Sequence, residues 1–123
     1  MARKLLLMLA AVSAAGVAAL GLAIPGNAAS PKLIATVTDD SVITLTTPMG
    51  RPVRTLRAGG YTVAVRDQTS DHNFRLAGSG VRRATGVEAV VTTTWGVRFR
   101  KGKRYVFQCD PHASSMRGAL RAR

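Results

Sequence analysis

The feature that most constrains the fold of this chain is an alternation of apolar and polar residues, which recurs between residues 32 and 120 and is interrupted by short turns. Successive side chains of a strand point to opposite faces, so this pattern predicts half-buried β-strands. No stretch of this region keeps a helical period. The sequence therefore predicts an all-β fold of roughly seven or eight strands, a Greek-key antiparallel β-sandwich that includes a hairpin over 32–38 and 42–47.

Three local expectations concern turns and the chain end. Residues 78–86 predict a loop, in which Arg82 and Arg83 are solvated charges. Residues 88–100 predict two strands, or one long strand that bends at Gly96. Residues 121–123 are expected to be frayed and exposed.

The N-terminal segment has the pattern of an export signal. Arg3 and Lys4 precede an almost unbroken apolar run from residue 5 to residue 24, and a turn with small residues follows at 25–29. This pattern predicts a signal peptide over 1–28, cleaved after Ala28. The run is also just long enough for an uncleaved membrane anchor. Either alternative places a single domain, 29–123, outside the cytoplasm: secreted, in a periplasm or at the cell surface.

The chain is strongly basic, with a formal net charge of +12. Without Arg3 and Lys4, 16 basic residues face 6 acidic ones, a net charge of +10. Such a charge favours acidic protein partners or an anionic membrane surface. The basic residues are scattered along the sequence and few aromatic residues lie between them, so nucleic-acid binding is not expected. A monomer is expected.

A cluster of soft side chains lies near the C-terminus. Cys109, His112 and Met116 fall within eight residues and offer a thiolate, an imidazole nitrogen and a thioether. These ligands suit copper better than magnesium or calcium, which prefer oxygen. Cys109 is the only cysteine, and exported proteins usually pair their cysteines, so a metal would explain a lone thiol.

A fourth ligand is available upstream. His72 is the only other histidine, and it alternates with Phe74 and Leu76, so residues 72–76 predict a strand on which this histidine points inward. A sandwich can bring that strand beside Cys109. Two imidazoles and one thiolate with a weak axial thioether form the ligand set of electron-transfer copper sites. The candidate metal ligands are His72, Cys109, His112 and Met116.

The motifs resemble those of the cupredoxins, the small blue copper proteins, and most of all those of plastocyanin and amicyanin. The plastocyanin pattern Tyr-x-Phe-x-Cys-x-Pro-His is matched by Tyr105, Phe107, Cys109, Pro111 and His112. The Met-Arg-Gly of amicyanin is matched by Met116, Arg117 and Gly118. The family's His-Asn pair is matched by His72 and Asn73. The segment between His112 and Met116 is one residue shorter than in plastocyanin and one longer than in amicyanin. The axial bond length and the redox potential therefore stay open.

The resemblance implies one type 1 copper ion that cycles between Cu(I) and Cu(II) and carries single electrons to and from redox proteins. It also implies that Asn73 bonds across to the ligand loop and fixes Cys109, and that His112 is the exit for the electron. Two alternatives remain: copper delivery, storage or sensing with the same ligands, and a metal-free interaction module on this scaffold. No enzyme is expected, because no carboxylate or serine forms a recognisable catalytic array with either histidine.

Overall fold

The predicted hairpin is present at the start of the folded region. The computed structural model describes residues 30–123, in which Lys32–Val37 (β1) pairs with Ile43–Thr46 (β2) across a turn where Ser41 adopts a positive φ of 61°. The predicted signal peptide, 1–28, and the alternative anchor lie outside these residues. Within 30–123 no helix is long and apolar enough to cross a membrane. The remaining strands are Thr55–Leu56 (β3), Gly59–Asp67 (β4), Arg75–Gly78 (β5), Val81–Ala84 (β6), Val91–Phe99 (β7), Arg104–Gln108 (β8) and Arg117–Ala122 (β9).

The strands form two sheets, ordered β2-β1-β4-β7 and β3-β9-β8-β5-β6. The expectation of a purely antiparallel sandwich needs correction, because both sheets are mixed. β1 runs parallel to β4, and β3 runs parallel to β9. After β2 the chain crosses to the other sheet through β3 before it returns as β4, and such a crossover lets two strands of one sheet run in the same direction.

The core lies between the two sheets and follows the alternation of the sequence. Inward positions are buried and outward positions are half-buried or exposed, as in β7, where Trp95, Val97 and Phe99 point inward and the residues between them are exposed. Trp95 is therefore part of the hydrophobic core. Fully burying one large apolar side chain contributes about 1.5–3 kcal/mol. The largest side chains with almost no exposure are Tyr105, Phe74, Phe99, Leu45, Leu76 and Met116.

Several local expectations were wrong. Residues 78–86 are not only a loop, because Val81–Ala84 pairs with β5 and forms an edge strand that carries the exposed Arg82 and Arg83. Of the two alternatives for residues 88–100 the single strand is present, over Val91–Phe99, and Gly96 keeps the regular register opposite Thr62. The chain end is held in place: Ala122 is buried, and the Arg123 N–H donates to the Leu56 carbonyl at 2.9 Å.

Both sheets end on the same side, and that end carries the candidate ligands. Val37 pairs with Asp67 where β1 and β4 end, and Arg75 pairs with Gln108 where β5 begins and β8 ends. Lys32 lies at the far end of the same parallel pair, opposite Thr62. The described chain therefore begins at the end of the sandwich that is remote from the candidate site.

Candidate metal centre

Three of the four predicted ligands converge at this end of the sandwich. The Nδ1 atoms of His72 and His112 lie 3.0 Å apart, and the Cys109 Sγ lies 3.6 Å from the first and 3.5 Å from the second. The centre of such a triangle is about 2.0 Å from each corner, close to the bond lengths of metals to imidazole nitrogen and thiolate sulfur. His72, Cys109 and His112 can thus hold a metal ion, and they form the one such group of His, Cys, Asp and Glu side chains within residues 30–123.

The prediction that His72 lies on a strand over 72–76 was wrong, because β5 begins only at Arg75. His72 lies in the loop before it and is placed by a network of polar side chains instead. The loop from Asp67 to His72 is folded locally: the Asp67 carboxylate accepts the Thr69 N–H at 3.3 Å, and the Thr69 hydroxyl accepts the Asp71 N–H at 3.0 Å. Thr85, which directly follows β6, ties this loop to that strand, since its hydroxyl donates to Asp67 at 2.5 Å. Burial raises the pKa of Asp67 in spite of these hydrogen bonds.

Ser41 completes the surroundings of the His72 ring. Its Oγ lies 3.5 Å from Nε2, the ring nitrogen that faces away from Cys109. A histidine that binds a metal commonly donates its second N–H to an oxygen, and that bond fixes the ring tautomer. The Ser41 hydroxyl can accept such a bond, which would leave the Nδ1 lone pair free for a metal.

Cys109 follows β8 directly, and its loop is closed by backbone bonds. The Cys109 N–H donates to the Met116 carbonyl at 3.0 Å, while the His112 carbonyl accepts the Met116 N–H at 2.8 Å. Between them Asp110–His112 forms one 3-10 turn, and Pro111 lies near its start, where a residue without an N–H leaves no donor unpaired. This short, internally bonded loop folds His112 back against the sulfur.

The predicted contact of Asn73 with the ligand loop is present. Asn73 is 2% exposed, and its side-chain carbonyl accepts the Asp110 N–H at 2.7 Å. Its amide group donates to the Asp110 carboxylate at 2.9 Å and to the Thr85 carbonyl at 3.2 Å. Asn73 therefore fastens the residue that follows Cys109 to the segment that carries His72 and leads into β5.

A second contact that holds the loop is the ion pair between Arg75 and Asp110. The guanidinium donates twice to the carboxylate, from Nε at 2.8 Å and from Nη2 at 2.9 Å, and Gln108 adds a weaker contact at 3.3 Å. The Arg75 hydrogen bonds lower the pKa of Asp110 to about 2, although partial burial opposes this shift. The carboxylate is thus ionised at neutral pH and holds the loop against β5.

The donors differ in their access to solvent. Cys109 has no exposed surface, and His72 is 5% exposed, whereas His112 is exposed. A metal in this triangle would be shielded on the thiolate side and accessible only past one imidazole.

Met116, the fourth predicted ligand, is buried at 2% exposure. Its backbone bonds to Cys109 and His112 hold it beside the other ligands in the loop. The axial role of its thioether stays a prediction.

Sequence reasoning missed Ser41, Arg75, Thr85 and Asp110. No local motif marks them, and the Arg75–Asp110 and Asn73–Asp110 contacts join residues more than thirty positions apart in the chain. Asp110 stands between Cys109 and Pro111 of the recognised motif, and Arg75 comes two residues after Asn73, which is the one signal the sequence offers. A comparison with protein-family models finds no match for this chain, and a comparison with curated protein sequences also finds none.

Proposed function

We propose that the protein is an extracytoplasmic blue copper protein that carries single electrons. The observation that carries the proposal is the convergence of two imidazole nitrogens and one thiolate sulfur at mutual distances of 3.0–3.6 Å. The motif resemblance to cupredoxins supports the same conclusion independently of the geometry.

The donor set supports copper over harder metals. Thiolate and imidazole ligands in a trigonal arrangement are typical of blue copper sites, while carboxylate and carbonyl oxygen suit magnesium, calcium and manganese. No carboxylate belongs to the group of converging side chains. Copper bound there would supply the reversible one-electron couple.

The contribution of the chain is to hold the donors still. Cys109 and His72 are buried, the loop is bonded to itself, and Asn73 and Arg75 fasten it at Asp110. Donors that barely move keep the reorganisation that accompanies a change of charge small. His112 is the exposed ligand and would be the side on which an electron enters or leaves.

The same rigidity weighs against the alternative of copper delivery, storage or sensing. A delivery site needs a loop that opens and releases the metal. Here the loop between Cys109 and Met116 is closed by backbone bonds at both ends, and the adjoining carboxylate is held by a guanidinium. These contacts favour retention of the metal.

The fold gathers basic residues that are scattered in the sequence, and this supports acidic redox proteins as partners. The strand register places Arg82, Arg104, Arg117 and Arg121 on the outer face of the five-stranded sheet, where all four are exposed. We infer that the protein works outside the cytoplasm, released or anchored. In either case residue 32 lies at the end remote from His112, so an anchor would leave His112 accessible.

Electrochemistry of the copper-loaded protein tests the proposal. We expect one reversible one-electron wave that is lost in Cys109→Ser, a variant that keeps both imidazoles. We also expect the Cu(I) form to retain its metal against a competing Cu(I) chelator. Copper that is redox-silent and passes quickly to the chelator would instead support copper handling and would overturn electron transfer.

A further inference from the structure

A cleft of about 380 Å³ opens on one side of the sandwich, between β2 and β9. It arises because β3 pairs only with Arg121 and Ala122 at the end of β9. Within the described chain no strand covers the first half of β9 on that side, and β2 is the edge of its own sheet. None of the residues that line the cleft is one of the candidate ligands His72, Cys109 and His112.

The walls of the cleft are mainly apolar. They are formed by Ile43, Leu45, Pro52, Val53, Phe107 and Ala119. Gly118 allows the Phe107 ring to lie at the base, since a Cβ at that position would be only 2.2 Å from the ring. Apolar walls of this kind favour a hydrocarbon group, whose removal from water provides the driving force for binding.

One rim of the cleft is basic. Arg54 lines both the cleft and a shallow pocket next to it, which Arg104 and Arg121 also form. Arg104 and Arg121 stand directly opposite each other in the pairing of β8 with β9. The one ion pair within residues 30–123 joins Arg75 to Asp110, so the three rim arginines have no carboxylate partner in the described chain.

We propose that the cleft and its arginine rim bind a monomeric fatty acid anion. Its alkyl chain would fill the apolar cleft, and its carboxylate would bind the guanidinium groups of the rim, which match it in charge and in planar geometry. The volume lies near the lower end of the range of about 300–1,000 Å³ for small-molecule sites. This size favours one alkyl chain over the two chains of a bilayer lipid.

Calorimetric titration with sodium dodecanoate below its micellar concentration tests the site. The chain is expressed with its own N-terminal segment and purified without detergent from the extracytoplasmic fraction. We expect saturable binding of one dodecanoate per protein. Butanoate, which has the carboxylate without the chain, and dodecyltrimethylammonium, which has the chain with the opposite charge, should not bind measurably.

Variants and amide NMR signals locate the binding. Replacement of one rim guanidinium, in Arg54→Gln or Arg121→Gln, should weaken dodecanoate binding about tenfold. The matched control is Arg66→Gln, which removes an exposed arginine from the other sheet and should leave the affinity unchanged. The amide signals of Ile43, Val53 and Ala119 should shift on titration.

Several outcomes would overturn the proposal. Binding that does not saturate, or that Arg66→Gln weakens as much as Arg54→Gln does, would indicate nonspecific attraction to a basic protein. If butanoate bound as tightly as dodecanoate, the site would bind anions without selecting for an alkyl chain. Binding to vesicles of phosphatidylglycerol without binding of monomeric dodecanoate would indicate a membrane surface. None of these results depends on copper, so they leave the proposed electron-transfer function untouched.

Discussion

Asn73 offers the sharpest test of how the ligand loop is held. Its side chain makes three hydrogen bonds, two to Asp110 and one to the Thr85 carbonyl, from a position that is 2% exposed. A hydrogen bond contributes about 1 kcal/mol net, and a buried group left without its partner costs more. Asn73→Ala should therefore lower the free energy of unfolding by about 3 kcal/mol.

The assay is urea unfolding of the metal-free protein. With a slope of about 1.5 kcal/mol per molar urea, a loss of this size moves the midpoint down by about 2 M. Gln108→Ala is the control, because it removes a single longer contact to the same carboxylate, at 3.3 Å, and should cost no more than about 0.5 kcal/mol.

Copper affinity gives a second measurement on the same variant. The loss of a residue that positions metal ligands typically weakens binding about 10- to 100-fold, and Asn73→Ala should fall in this range. If Asn73→Ala lost less than about 1 kcal/mol and bound copper as tightly as the wild type, the account of how the loop is fixed would be refuted.

Three further predictions concern packing, pH and salt. Gly118→Ala should destabilise the fold by about 1–3 kcal/mol, because its Cβ would lie 2.2 Å from the Phe107 ring, whereas Gly96→Ala, with open space around its Cβ, should change little in the same unfolding assay. Metal-free protein should lose stability as the pH falls from about 4 to about 2, because the Asp110 pKa of about 2 lies below its ordinary value and the unfolded chain takes up the proton first. In urea unfolding across that range, Asp110→Asn should lose less stability than the wild type. An equal loss in the two proteins would contradict the role of this carboxylate. Electron exchange with an acidic redox protein should slow from ~0.01 M to ~0.5 M salt in stopped-flow measurements, and a constant rate would exclude electrostatic steering.

The strands and the core could be predicted because their signal is local. Alternation along β4 and β7 marks the buried faces directly, and the turn at 39–41 defines the first hairpin. Pairing between distant segments has no such signal. The parallel contact of β1 with β4 depends on a crossover through the other sheet. The strand β6 was missed because three glycines and two arginines within 78–86 indicate a loop, and only the pairing with β5 makes it a strand.

The candidate site also has a part that the sequence predicts and a part that it does not. The soft side chains at His72, Cys109 and His112 stood out by their chemistry, and the structure brings the three together. The groups that hold them could not be predicted. Asp110 is polar like many loop residues, and only the fold shows that Arg75 and Asn73, from a segment distant in sequence, bind it.

The visible absorption spectrum of the purified protein tests the central claim most directly. After addition of copper(II), we predict an intense band in the orange-red region, which is lost on addition of a mild reductant and restored on oxidation. Cys109→Ser should lack the band, because the band requires the thiolate. A colourless wild-type protein in the presence of copper(II), or the same band in Cys109→Ser, would contradict the assignment of a thiolate-bound electron-transfer copper.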